Sequence, residues 1–281
     1  MRRTRPSTAI GAPAVSLYCA ERGGEEIHPG LFQYQSEIHL DAASMTAGLS
    51  IVRSVADQPG LAIGDYEMRI DGATLSEGIK AIHSADFDNV KVDEDSANGS
   101  DTLSYVVCLS GQPVERLINS EDARALAQLG PFNDFLEELE SELLESPKAA
   151  LSVAVEQQGS AYILVLKNIG SAPILVADPR RDSECRIQVA PIPVSIPGYT
   201  DRPLQWTYIE LEAASGTEEF EFQLAPAEER RFVSQRWESD AAKAPHIAQG
   251  IYSSYPAVAQ ENGILRIRGM AFSEGLTVDS D

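Results

Sequence analysis

Apolar residues change their period near the middle of the chain. Phe132, Phe135, Leu136, Leu139 and Leu143 recur at the three- and four-residue steps of one buried stripe on an α-helix. Asp134, Glu137, Glu138, Glu140, Glu142 and Glu145 occupy the other positions, and none has a Lys or Arg four residues further on to pair with. The opposite face is therefore anionic. Pro131 suits a first helical turn, where the amide it lacks has no acceptor, and Pro147 cannot continue a helix, which predicts a helix over about Pro131 to Glu145. A shorter helix is expected before it, capped by Ser120 with Glu121 and Asp122 in its first turn, carrying Ala123, Leu126 and Leu129 and ending near Gly130.

Upstream, strands alternate with a helix. Phe32, Tyr34, Ser36, Ile38 and Leu40 share one side of a period-two pattern, and Leu49, Ile51 and Val55 continue it. After a turn at Gln58-Pro59-Gly60, Tyr66, Met68 and Ile70 alternate with Asp65, Glu67 and Arg69. Thr74 or Ser76 is then expected to cap a helix bearing Leu75, Ile79 and Ile82 and finishing near Phe87. Further strands are predicted at Val90–Val92, joined by an Asn98–Gly99 turn to Leu103–Leu109, and at Val114–Ile118. The acidic run Asp93–Asp101 has oxygen ligands at short intervals, as a calcium loop does. Its sixth and twelfth positions are Asn98 and Ser104, where such a loop needs Gly and a carboxylate, so the spacing fails.

After Pro147 the pattern is one of strands throughout. Leu151, Val153 and Val155 alternate, Tyr162–Leu166 is apolar on both faces, and Ile174–Ala177 follows a turn. Further strands are predicted at 186–189, 204–211, 218–224, 231–237, 250–255 and 264–270. In the second of these the inward set Leu204, Trp206 and Tyr208 hands over to Ile209 and Leu211, which predicts a bulge. The turn Leu166-Lys167-Asn168-Ile169-Gly170, followed by Pro173-Ile174-Leu175-Val176, resembles a hairpin of bacterial immunoglobulin-like domains, and the resemblance implies a sandwich. The expected architecture is an α+β N-terminal domain over 26–146 ending in acidic helices, followed by an all-β, immunoglobulin-like sandwich over 148–281. Residues 1–25, with Arg2, Arg3 and Arg5 at the start and an apolar part broken by Gly11 and Pro13, are expected to be a disordered tail.

Composition narrows the function. With 281 residues, 43% of them hydrophobic, the chain can bury a sizeable core. Its formal net charge of -21 repels nucleic acid phosphates and anionic membranes, and raises encounter rates with basic proteins. No apolar run is long enough to span a bilayer as a helix. Cys19, Cys108 and Cys185 are odd in number and far apart, which fits neither a disulfide framework nor a zinc site and favours a reducing, cytoplasmic setting.

The common catalytic signatures are missing: no G-x-S-x-G elbow, no H-E-x-x-H, no phosphate loop and no dinucleotide fingerprint occurs. His28, His39, His83 and His246 lack the spacing of a metal site, and a Cys–His pair assembled in space stays open. Trp206, Tyr208, Trp237, Tyr252 and Tyr255 are expected in the core rather than on a sugar platform. No catalytic, cofactor-binding or metal-binding residue is assigned. The favoured reading is a non-enzymatic inhibitor or immunity protein that neutralises a basic toxin or effector through Asp134, Glu137, Glu138, Glu142 and Glu145. The alternatives are an enzyme without a local signature, with its site between the two domains, and an adaptor in a larger assembly. The oligomeric state is not legible.

Overall fold

The computed structural model describes residues 15–28, 31–53, 59–91, 102–109, 113–119, 122–192, 205–214, 219–237, 244–254 and 260–278. The protein is mostly β, with few helices and more than one sheet. Strands β1 (Ser16–His28), β2 (Leu31–Asp41), β3 (Thr46–Arg53) and β4 (Ile63–Arg69) precede helix α1 (Gly72–Ser84). Strands β5 (Thr102–Cys108) and β6 (Pro113–Asn119) precede helix α2 (Ala123–Leu144). Next come β7 (Pro147–Gln158), β8 (Ala161–Asn168), β9 (Ile174–Ala177), β10 (Arg186–Pro191), β11 (Thr207–Glu210) and β12 (Glu221–Leu224). The last are β13 (Glu229–Val233), β14 (His246–Ser254), β15 (Gln260–Glu261), β16 (Ile264–Arg266), β17 (Gly269–Phe272) and β18 (Leu276–Val278). The predicted Asn98–Gly99 turn and the Ser120 cap lie outside the described residues.

The chain gathers into two compact units, one of Met1–Glu21, Glu37–Gly48 and Met68–Glu142, the other of Arg22–Ser36, Leu49–Glu67 and Leu143–Asp281. The first holds α1, most of α2, β5 and β6, with parts of β1, β2 and β3. β1 starts at Ser16, inside the stretch expected to be a tail, because Leu17 and Cys19 are buried on one side of the strand. The cap of α1 is Asp71, not Thr74 or Ser76: its Oδ1 accepts from the amide of Thr74 at 2.8 Å. Ile82 is buried on α1, and a Cβ at Gly78 would meet the Phe135 ring at 2.8 Å, so a glycine lets the two helices approach.

Where two helices were expected there is one. Asp122 caps α2, accepting from the amide of Ala125 at 3.0 Å, and Pro131 lies inside the helix. A proline in a helix interior costs about 3 kcal/mol, since it removes a donor and crowds the carbonyl one turn back. Leu129, Phe132, Leu136 and Leu139 are nevertheless all buried on one continuous stripe across it. At roughly 1.5–3 kcal/mol for each large apolar side chain, that burial outweighs the break. Phe132 also closes an aromatic cluster, with ring centroids 5.9 Å from Phe87 and 5.8 Å from Tyr105.

In the second unit β10, β14 and β17 follow one another from β11, and β17 pairs in parallel with the end of β3 that belongs to this unit, Met270 opposite Arg53. β7 lies between β4 and β8, and β13 pairs with the other edge of β8. A second sheet has the order β12-β9-β16-β15. The predicted strand at 264–270 is thus two strands in different sheets. The break is at Gly269, whose φ of 114° and hypothetical Cβ, 1.3 Å from the Val52 carbonyl oxygen, admit no side chain. The bulge expected in 204–211 is not found: β11 keeps register with β10 from Thr207 to Glu210, and the chain then changes partner, Leu211 bridging to Ser234.

The turn after β8 is built on Asn168, which is fully buried. Its side-chain oxygen accepts from the Gly170 amide at 2.8 Å, and its Nδ2 donates to the carbonyls of Ala172 at 2.9 Å and Leu224 at 3.1 Å. Replacing Asn168 by Ala orphans three backbone groups, each costing about 1–3 kcal/mol when buried. Urea unfolding of Asn168→Ala is expected to show a loss of about 3 kcal/mol; a loss below about 1 kcal/mol would contradict this account.

Candidate functional site

Burial of Phe132, Phe135, Leu136, Leu139 and Leu143 sets the rotation of α2. With that stripe inward, Asp134, Glu137, Glu138 and Glu142 are exposed, and Glu145 is exposed in the turn just past the helix. Among the described residues none of these carboxylates forms an ion pair. The final turn carries no basic residue, so Glu142 adds negative charge to the negative end of the helix dipole. Glu140 is half-buried beside them; burial and then the Glu137 carboxylate hold its pKa above the usual carboxylate range. The row is anionic and uncompensated within its own helix.

The other candidates from the sequence are structural. His246 is buried and its ring is occupied on both sides: Nε2 meets the Tyr162 hydroxyl, and Nδ1 lies 2.7 Å from the Ala244 carbonyl oxygen. With Nδ1–H donating to that carbonyl, Nε2 accepts from the Tyr162 hydroxyl. Burial pushes the Tyr162 hydroxyl up to about 12, consistent with its role as donor. Trp237 packs edge-on against the imidazole at 4.8 Å. His39 and His83 are exposed.

All three cysteines are free and buried. Burial, then Glu21 and Glu140, pushes the Cys19 thiol up to about 12. Burial also raises Cys185, whose Sγ donates to the Ser253 carbonyl at 3.1 Å and accepts from the Ser253 amide at 3.1 Å. Neither thiol is poised as a thiolate, and both Cys185 and His246 are engaged elsewhere. Among the described residues no group of three His, Cys, Asp or Glu is placed to hold a metal ion.

Of the aromatic set, Tyr252 is fully buried, its hydroxyl accepting from the Ala177 amide at 3.2 Å, and Trp237 is half-buried against Tyr162. Tyr208 departs from the core expectation. It is 52% exposed because Ile209 takes the inward position on β11, and the Arg186 guanidinium stacks over its ring at 3.9 Å. Tyr255 lies outside the described residues.

The sequence carried no signal for one further feature, a cavity of about 160 Å³ in the second unit. Ser50 and Val52 from β3, Asp65 from β4, and Leu265 to Arg268 line it. The residues come from three stretches far apart in the chain, and none belongs to a spaced motif.

No family model, no curated protein and no solved structure matches this chain.

Glu140 supplies a test of what burying a carboxylate beside the anionic row costs. Because its folded-state pKa lies above the unfolded value, the native state binds the proton more tightly, and the group costs stability as pH rises through that raised pKa. Glu140→Gln is expected to melt above the wild type at neutral pH, with the gain shrinking as the buffer is acidified into the carboxylate range. Thermal melts across that range would show it; an equal or larger gain in acid would reverse the assignment.

Proposed function

We propose that this protein is a non-enzymatic acidic binding protein, an inhibitor or immunity protein that neutralises a basic toxin or effector by protein–protein contact. The observation that carries the reading is the exposed, unpaired carboxylate row of Asp134, Glu137, Glu138, Glu142 and Glu145 on a helix anchored by its buried stripe. A net charge of -21 extends the same field over the chain, which steers a cationic partner toward it and suppresses anionic ones such as nucleic acid. The rigid stripe matters, since a charged face on a fixed helix loses little entropy when it docks. The three free, buried cysteines are in keeping with a cytoplasmic site of action.

The proposal includes the domain organisation: an α+β part over 26–146 and an immunoglobulin-like sandwich over 148–281. In support, α1 and α2 both precede Pro147, and residues after it supply strands to two different sheets. Among the described residues no helix is long and apolar enough to cross a membrane.

Affinity capture from the native host should recover a stoichiometric partner with a high isoelectric point. Against that purified partner, the combined Glu138→Gln, Glu142→Gln and Glu145→Gln variant is expected to associate more slowly and with a flatter salt dependence, while its melting temperature changes little. An unchanged on-rate with the wild-type salt slope would remove the helix from the interface.

A further inference from the structure

The cavity in the second unit is shaped by two glycines. Gly64 has a φ of 137°, and a Cβ there would fall 2.2 Å from the Ala149 carbonyl oxygen. Directly after it the pairing of β4 with β7 slips, Asp65 opposing Ala149 and Tyr66 opposing Pro147, so the unpaired extra residue is Lys148 on β7, across from Asp65. Such a bulge bends its strand and increases the local twist. Arg268, which also lines the cavity and is exposed, precedes Gly269, the residue pressed against the Val52 carbonyl. Two close backbone approaches that only glycine tolerates thus flank a cavity lined by both Asp65 and Arg268, from distant parts of the chain.

Those charges are not used on each other. Asp65 and Arg268 form no ion pair, and the Ser50 hydroxyl makes no hydrogen bond among the described residues. Arg266 differs, since its Nη2 donates to Glu221 at 2.8 Å. Val52 is buried and shares a strand face with Ser50, since alternate residues of a strand point the same way. At about 160 Å³ the space is well under the roughly 300 Å³ at which pockets for drug-sized ligands begin, so an occupant has few heavy atoms.

We propose that this cavity binds a small zwitterion of the α-amino acid class, its carboxylate on the Arg268 guanidinium and its ammonium on the Asp65 carboxylate. Opposite charges held apart in one recess discriminate against either charge alone: a simple anion meets Asp65, a simple cation meets Arg268, and only a ligand carrying both satisfies both. The guanidinium fork matches a carboxylate in two parallel bonds, Ser50 offers a hydroxyl, and the buried Val52 on the same strand face suits a small apolar substituent. The site is independent of the anionic face of α2, so either proposal can fail without the other.

The test is an amide-resonance titration of the full-length, isotope-labelled protein with glycine and L-alanine, and with acetate and methylammonium as half-ligands. Saturable millimolar shifts at Gly64, Asp65, Arg268 and Gly269 are expected with the two zwitterions. Losing one charge-assisted contact should weaken binding about tenfold or more, both for acetate and methylammonium and for the zwitterions on Asp65→Asn or Arg268→Gln. Arg268→Lys, which keeps the charge without the fork, should fall between wild type and Arg268→Gln and guards against misreading a folding defect. The proposal is overturned if these amides do not shift, if acetate binds as well as glycine, or if Arg268→Gln binds like wild type.

Discussion

A single buried amide ties together the turn on which the strand-rich half of the molecule is assembled. Asn168 spends its side chain on Gly170, Ala172 and Leu224, while its own backbone amide donates to Glu228 and its carbonyl accepts from Ala227, each at 3.0 Å. The residue closes β8, which pairs with β7 and β13, and through Leu224 it reaches β12 of the other sheet. Removed from water, an amide with every donor and acceptor matched is rigid and specific; partly matched, the same group would be a liability of several kcal/mol, on the order of 1–3 for each orphan. Two sheets can therefore meet at a polar residue without disordering the core around it.

Charge is distributed with similar economy. The chain has 22 Lys and Arg against 43 Asp and Glu, and in the second unit several of the scarce cations lie over aromatic rings. Arg181 stacks on Phe220 at 4.2 Å, Arg230 on Phe222 at 4.2 Å and Arg186 on Tyr208 at 3.9 Å. A guanidinium in that position shields apolar surface while keeping its edge in water. One consequence is that these arginines cover rings rather than neutralise the helix: α2 has no basic residue in its last turn, and its exposed carboxylates form no ion pair among the described residues. Long-range attraction for cations and local packing of rings are thus served by different parts of the chain.

Periodicity alone carried much of the secondary structure, because the face an element buries is written in its own spacing. The stripe from Phe132 to Leu143, the alternation of Leu151, Val153 and Val155, and the outward carboxylates of α2 needed no knowledge of what lay opposite. The exposed positions of the candidate partner surface followed by elimination once that stripe was recognised. What could not be read was anything decided by a second element. Pro131 looks like a helix start until burial on both sides of it outweighs the lost hydrogen bond, and Ile264 to Met270 looks like one strand until the Val52 carbonyl demands a glycine at 269 and sends its two ends to different sheets. Tyr208 and Ile209 differ in fate because the pairing of β11 with β10 turns Ile209 inward, leaving the Tyr208 ring outside under Arg186. The cavity that Asp65 and Arg268 both line is the extreme case: each is an ordinary surface charge in the sequence, and their sharing of one cavity depends on backbone approaches between residues some two hundred positions apart, which no local pattern encodes.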